Sequence, residues 1–289
     1  RYAPNSPGFA AIMLFASTSL AARIERADSR FLRDAAEAAL RRRHGAGVFA
    51  TALAGGFATY TAAGSPLNKV AGLGFAEPLD ERELEAVERA FAERDTPVQA
   101  EVCTLADPQV VRLLTTRGYV LQGFEHVLAR SLPAAGLGAP ADGIEVADSP
   151  IEDLGAWVDV VVTGFASADT EGVPSHESFP RDALEQVMAD MASAPGVSRF
   201  LARREGVAAG GASLRLGEGV ALLCGAATLP EHRRRGVQSA FLTTRLRLAA
   251  EAGCDIAVVT TSPGSKSQEN VQRQGFQLLY ARAVLVRPV

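Results

Sequence analysis

Apolar positions recur at helical spacing over residues 31–43, 81–93, 151–165, 181–193 and 237–253; in the last, Leu242, Leu246 and Ala249 share one face. Shorter apolar runs read as strands over 98–104, 120–128, 144–147, 199–204, 207–216, 220–229, 256–261 and 277–286. Glu205-Gly206 and Gly217-Glu218-Gly219 are hairpin-turn signals between adjacent strands. The pattern predicts a mixed α+β (α/β) fold: a mostly antiparallel twisted sheet flanked by helices, with a helical crossover after the strand 220–229.

The same order of elements is read twice. Gly118 follows Thr104 by 14 positions, as Gly275 follows Thr261, and each Gly precedes an aromatic and a strand. Such a Gly suits a left-handed helix C-cap. Upstream, Glu25-Arg26-Ala27-Asp28-Ser29 matches Glu145-Val146-Ala147-Asp148-Ser149, with Asp28/Ser29 and Asp148/Ser149 as candidate N-caps. The offset grows from 120 to 157, so the second copy is expected to carry 37 extra residues, and with them any function that only one half performs. A Gly/Pro/Ala-rich seam divides the copies. The expected organisation is an N-terminal extension (1–22), a first domain (23–132), a linker (133–143) and a second domain (144–289).

Composition narrows the function classes. The 289 residues are 47% hydrophobic and 21% charged, which is globular, and the net charge of −4 gives no general pull toward nucleic acid. Only Lys69 and Lys266 are lysines among the 29 basic residues, an arginine excess read as background. Three scattered cysteines suggest neither a metal site nor a disulfide framework, and fit a cytoplasmic setting. No apolar run is long enough for a membrane span. The segment 8–22 could pass for a signal-peptide core, but Ser17, Thr18 and Ser19 interrupt it. A non-secretory N-terminus is the favoured expectation, with Met13 as an alternative start.

The sharpest local feature runs from Leu229-Pro230-Glu231-His232 through Arg233-Arg234-Arg235-Gly236 to Val237-Gln238-Ser239-Ala240. A strand ends at a proline, a basic turn follows, and a helix begins after Gly. The first amides of a helix lack internal partners and carry the positive end of its dipole, so they can hold a phosphate. Arginines would add charged donors.

This stretch resembles the pyrophosphate-binding signature of the GNAT superfamily of acyl-CoA-dependent N-acetyltransferases: Gln or Arg, two residues, Gly, one residue, then Gly or Ala. Arg233, Gly236 and Gln238 fall on those positions, Gln238 departing from the last. Residues 267–276 resemble the family's last helix and strand. The resemblance implies two GNAT-like domains, the second with acetyl-CoA as acyl donor and no metal. The donor would lie where strands 220–229 and 256–261 splay. Ala227, Thr228 and Leu229 would pair with the pantetheine arm, and the turn from Arg233, Arg234, Arg235 and Gly236 to Val237, Gln238, Ser239 and Ala240 would hold the pyrophosphate. Ser267 and Asn270 would lie near the donor.

Catalytic groups are less legible. Where the family often has a Tyr acid, this chain has Val271. Ser267 and Tyr280 are the substitutes for the acid, Glu231 and Glu218 the candidates for the base, and a water chain stands beside them. In the first half, residues 66–75, following Ser65, would form a long central strand, but Glu77 and Asp80 stand where a cradle should be and would repel a phosphate. That half reads as a degenerate copy which packs against the other half or shapes an acceptor pocket. Asp169, Glu171 and Glu177 lie in the loop 166–180 and could form an acidic rim for an amine. Ser175-His176-Glu177 lacks the Gly-x-Ser-x-Gly elbow of a hydrolase. Cys224 and Trp157 read as core, His232 as a solvated turn residue, His44 and His126 as lacking metal-ligand companions, and 41–43 as a basic helix end.

The reading is thus an acetyl-CoA-dependent N-acetyltransferase acting on a primary amine, expected to be a small molecule. No nucleic-acid or membrane partner is expected, and a homodimer is left open. The competing reading is a non-catalytic acyl-CoA sensor or interaction module.

Overall fold

The computed structural model describes residues 13–43, 47–134, 143–167 and 179–289. The first half runs α1 (Thr18–Arg42), β1 (Phe49–Leu53), β2 (Gly56–Tyr60), β3 (Lys69–Ala71), α2 (Glu81–Ala92), β4 (Val98–Cys103), α3 (Pro108–Thr116) and β5 (Val120–Ser131). The second runs β6 (Ile144–Asp148), α4 (Leu154–Ala166), α5 (Arg181–Ala192), β7 (Val197–Arg204), β8 (Val207–Gly217), β9 (Val220–Thr228), α6 (Val237–Glu251), β10 (Ile256–Thr261), α7 (Lys266–Arg273) and β11 (Gln277–Arg287).

All eleven strands form one sheet, in the order β1-β2-β3-β4-β11-β5-β10-β9-β8-β7-β6. Only β3/β4 and β9/β10 are parallel, each pair bridged by one helix, α2 or α6. The two halves exchange their last strands. β11 inserts between β4 and β5, pairing Arg282 with Cys103 on one side and with Glu125 on the other. β5 in turn pairs with β10, from Ile256↔Ser131 to Thr261↔His126. The expected tandem is therefore a continuous sheet, and each half is completed by a strand of the other.

Helices cover both faces. α1, α4 and α5 pack on one face through Leu32, Trp157, Val161 and Val187. α2 and α3 cover the other face of the first half, and α6 and α7 that of the second, around Phe91 and Phe241. Trp157 is core, as expected: it is 1% exposed and its Nε1 donates to Phe200 O at 3.1 Å.

The downstream repeat is structural. β4-α3-β5 and β10-α7-β11 correspond, Gly118 and Gly275 have φ of +88° and +79°, and Tyr119 and Phe276 are buried after them. The upstream repeat is not. Residues 25–29 lie inside α1, while 145–148 form β6. Val146 is β-branched where Arg26 is a helix former, and that difference outweighs the shared letters. Asp28 and Ser29 are accordingly not caps. Ser17 caps α1, its Oγ accepting from Leu20 N at 3.1 Å. Asp148 ends β6, and no side-chain cap opens the turn after it. The offset of 37 therefore measures no insertion. The long strand expected over 66–75 shrinks to β3, because Gly72 and Gly74, both at φ +83°, turn the chain away.

Candidate active site

The turn after β9 leads into α6 through Gly236, at φ +87°. Among the described residues no side chain caps α6, so the amides of Val237, Gln238 and Ser239 keep their donors, whereas Ala240 N already donates to Gly236 O at 3.0 Å. Arg235 is exposed beside this end. Arg233 behaves differently from a phosphate ligand. Its Nη2 donates to the carbonyls of Gly164 (3.1 Å) and Ser167 (2.6 Å), and its Nε reaches Thr228 O at 3.4 Å. It ties the end of α4 to the end of β9.

β9 and β10 pair only from Val220↔Ile256 to Leu222↔Val258. Beyond that they separate. The cause lies on the opposite edge of β9, where the β8/β9 register slips between Gly211↔Ala227 and Ser213↔Cys224. Gly225, at φ +55°, sits in this bulge. Arg245 of α6, 1% exposed, braces it from below: Nη1 donates to Ser213 O at 3.0 Å and Nε to Phe241 O at 3.2 Å. Sequence periodicity gave no sign of this buried cation.

A chamber of about 350 Å³ opens at the splay. It passes through the sheet. On the α6 side it meets Gln238, Leu242, Ser267 and Val271; on the α1 side it meets Phe31, Leu67, Met188 and Met191. Its inner wall is an ion cluster built mostly by the first half. Arg282, buried, donates from Nε to Glu25 (2.8 Å) and pairs through Nη1 with Asp28 (2.8 Å). Lys69 pairs with Glu101, which also accepts from Gln99 at 3.1 Å. Burial opposes ionisation of Glu101, but Lys69 and Arg282 outweigh it and hold its carboxyl below the ordinary range. Burial raises that of Glu25.

Glu125 completes the cluster from the exchanged strand β5. Its Oε2 is buried and accepts no hydrogen bond among the described residues. Burial, and then the negative charge of Glu101, push its carboxyl up to about 7 against the pull of Lys69 and Arg282. A carboxylate with that affinity for protons can act as a base at neutral pH. No local sequence motif marks Glu125, because its partners come from α1, β3, β4 and β11.

The other expected residues are dispersed. Ser267 lines the chamber, and Val271 is core. Tyr280 points into the α1-side core, its OH donating to Glu25 at 2.9 Å, and burial raises its hydroxyl far above the ordinary range. It is not placed to protonate a leaving thiolate. Glu231 is exposed in the turn after β9. Glu218 pairs with Arg26 and Arg30 at the hairpin end of β9, away from α6. Asn270 lies on α7 outside the chamber wall. Cys224 lines the chamber, and burial raises its thiol, which keeps it a neutral neighbour of Ser213. Asp169, Glu171, Glu177 and the 175–177 triplet lie outside the described residues, as does His44. Among the described residues no metal-binding cluster occurs, and no helix is long and apolar enough to cross a membrane.

The corresponding turn of the first half is closed. Asp80 caps α2, accepting from Arg82 N and Glu83 N at 2.8 and 3.1 Å, and Asp107 caps α3 through Gln109 N at 2.9 Å. The donors that α6 leaves open are consumed there by carboxylates, and Glu77 and Glu81 line the same hollow.

The bulged, splayed strand pair is followed directly by the open end of α6. Residues 164–276 match the family model described as "Acetyltransferase (GNAT) family". Among solved structures, a GCN5-related N-acetyltransferase from Kribbella flavida is similar at TM-score 0.60 and 20% identity, over 88% of this chain and 96% of that one. A tandem GNAT protein from the clavulanic acid biosynthesis pathway is similar at TM-score 0.54 and 15% identity, over 76% and 74% of the two chains. No curated protein matches significantly. Residues 164–276 thus carry a GNAT-family segment, and the chain shares its fold with GNAT proteins.

Proposed function

We propose that the protein is an acetyl-CoA-dependent N-acetyltransferase for a primary amine of a small molecule. The observation that carries this reading is the chamber that runs from the β9/β10 splay, beside the open end of α6, through the sheet to Glu125. Donor and acceptor can then meet from opposite faces. The pyrophosphate would lie on the amides of Val237, Gln238 and Ser239, with Arg235 adding charge. The pantetheine arm would follow the unpaired edge of β9 near Ala227 and Thr228, and Ser267 and Asn270 lie on the helix that faces it. The first half would supply the acceptor wall.

Val271 in the core favours a second reading, an acyl-CoA sensor without turnover. Calorimetry with acetyl-CoA followed by a thiol-release assay over amines separates the two. Micromolar binding with thiol release supports the transferase. Binding without release from any amine supports the sensor. Absence of binding at millimolar acetyl-CoA sinks both.

A further inference from the structure

One carboxylate of the chamber stands without a close partner. Glu25, Asp28, Glu101 and Glu125 gather around Arg282 and Lys69, and Arg245 lines the same chamber. Three of the carboxylates are committed: Glu25 to Arg282 and Tyr280, Asp28 to Arg282, and Glu101 to Lys69 and Gln99. Glu125 is not. Arg282 Nη1 stands 3.7 Å away, beyond hydrogen-bond reach, and the buried Oε2 has no hydrogen-bond donor among the described residues. Such an oxygen is costly unless a ligand or a proton meets it.

We propose that the acceptor is a cationic amine with no carboxylate beside it, bound in this chamber with its nitrogen at Glu125 Oε2, which takes a proton from it. The inference rests on the transferase reading. Phe31, Leu67, Met188 and Met191 suit the alkyl or ring body of such a molecule. The chamber's cations are engaged within the protein: Lys69 with Glu101, Arg282 with Glu25 and Asp28, and Arg245 with carbonyls. An acceptor carboxylate would therefore have to displace one of these partners.

The arriving ammonium gives one proton to Glu125. The neutral nitrogen attacks the thioester carbon; the C–N bond forms and the C–S bond breaks. The thiolate leaves and becomes a thiol with the second proton that the nitrogen loses. Glu125 returns its proton to water. The groups that set its titration are Glu25 and Asp28 on α1, Lys69 on β3, Glu101 on β4, and Tyr280 and Arg282 on β11.

The test compares wild type, Glu125→Gln and Glu125→Asp. Acetyl-CoA affinity, by calorimetry, should change less than about threefold, since Glu125 lies across the sheet from α6; loss of binding in the wild type itself would fail the transferase reading instead. Thiol release is then followed with 1,4-diaminobutane, 1,5-diaminopentane and glucosamine against glycine and glutamate. The cationic amines should exceed the amino acids at least ~10-fold in kcat/KM. Glu125→Gln should lose on the order of 100-fold in kcat/KM, together with the limb of the pH profile near 7, and Glu125→Asp should recover part of both. Preference for the amino acids, a limb retained in Glu125→Gln, or acetyl-CoA binding with no cationic amine acetylated would overturn the proposal.

Discussion

Arg282 Nη1 stands 3.7 Å from Glu125 Oε2, and the two residues are register partners on strands that belong, by sequence, to different halves of the chain. Strand exchange thus joins the halves at the charges of the site. At that distance Arg282 attracts Glu125 without satisfying it, and desolvation dominates. The folded carboxyl sits near 7 against an ordinary 4.5. A raised carboxyl favours the fold least when ionised. Its contribution to stability is intact below about 4.5 and falls as pH rises toward 7. Glu125→Gln should therefore gain on the order of 1–3 kcal/mol over wild type at pH 8 and little at pH 4.5. Urea unfolding at both pH values measures the difference; an equal gain at both would show that ionisation is not the cause.

Arg282 itself is a buried cation holding two carboxylates. Arg282→Met would leave buried Glu25 and half-buried Asp28 without their cation. The expected loss is on the order of 3–5 kcal/mol, since a stranded buried charge costs more than the pair is worth. Lys restores the charge but not the fork that reaches both partners. Arg282→Lys should lie between the two, and denaturant midpoints at pH 7 rank all three.

Gly225 carries the bulge that opens the cleft. A Cβ there would meet Ser213 Oγ at 2.8 Å on a backbone with φ +55°. Gly225→Ala is expected to cost roughly 1–2 kcal/mol through the left-handed conformation alone. If β9 relaxes by straightening, the splay narrows and acetyl-CoA affinity falls at least ~10-fold. Calorimetry and thermal melting separate the two effects.

Much of this was legible in the chain, for reasons that differ by element. β10, α6 and the turn at Gly236 follow from local sequence, because periodicity, helix-end chemistry and one Gly decide them. The Gly118 and Gly275 caps are local too. The chamber was not legible. Glu25 and Asp28 share a face of α1, three residues apart, and nothing nearby says that this face meets Arg282, more than 250 residues away. The 25–29 and 145–149 likeness misled because four shared letters do not outweigh the helical context around Arg26. The short polar run 17–19, which interrupts an apolar stretch, proves to be the start of α1, with Ser17 as its cap.

The closed turn of the first half fixes a stoichiometry. With Asp80 and Asp107 occupying the amides of α2 and α3, among the described residues only α6 offers an open end beside a splayed strand pair. Calorimetry should give one acetyl-CoA per chain. A second site of similar affinity would contradict the closure.

Arg235 and Arg233 of the basic turn should separate by role. Arg235 is exposed at the end of α6, so Arg235→Glu places a negative charge where pyrophosphate would lie. It should weaken CoA by about 10-fold or more and leave a pantetheine analogue lacking the pyrophosphate nearly unchanged, with little effect on Tm. Arg233→Ala should do the reverse. Its guanidinium holds Gly164, Ser167 and Thr228, so its loss leaves three carbonyls short of a donor and frees α4 from β9. Each charge-assisted bond is worth roughly 1.5–3 kcal/mol where buried, and these are partly exposed, so the loss of stability should be about 1–3 kcal/mol in all. Both ligands should then weaken together, because the β9 edge moves with α4. Equal responses of the two variants to both ligands would remove the distinction between a charge that meets the donor and a charge that builds the strand beneath it.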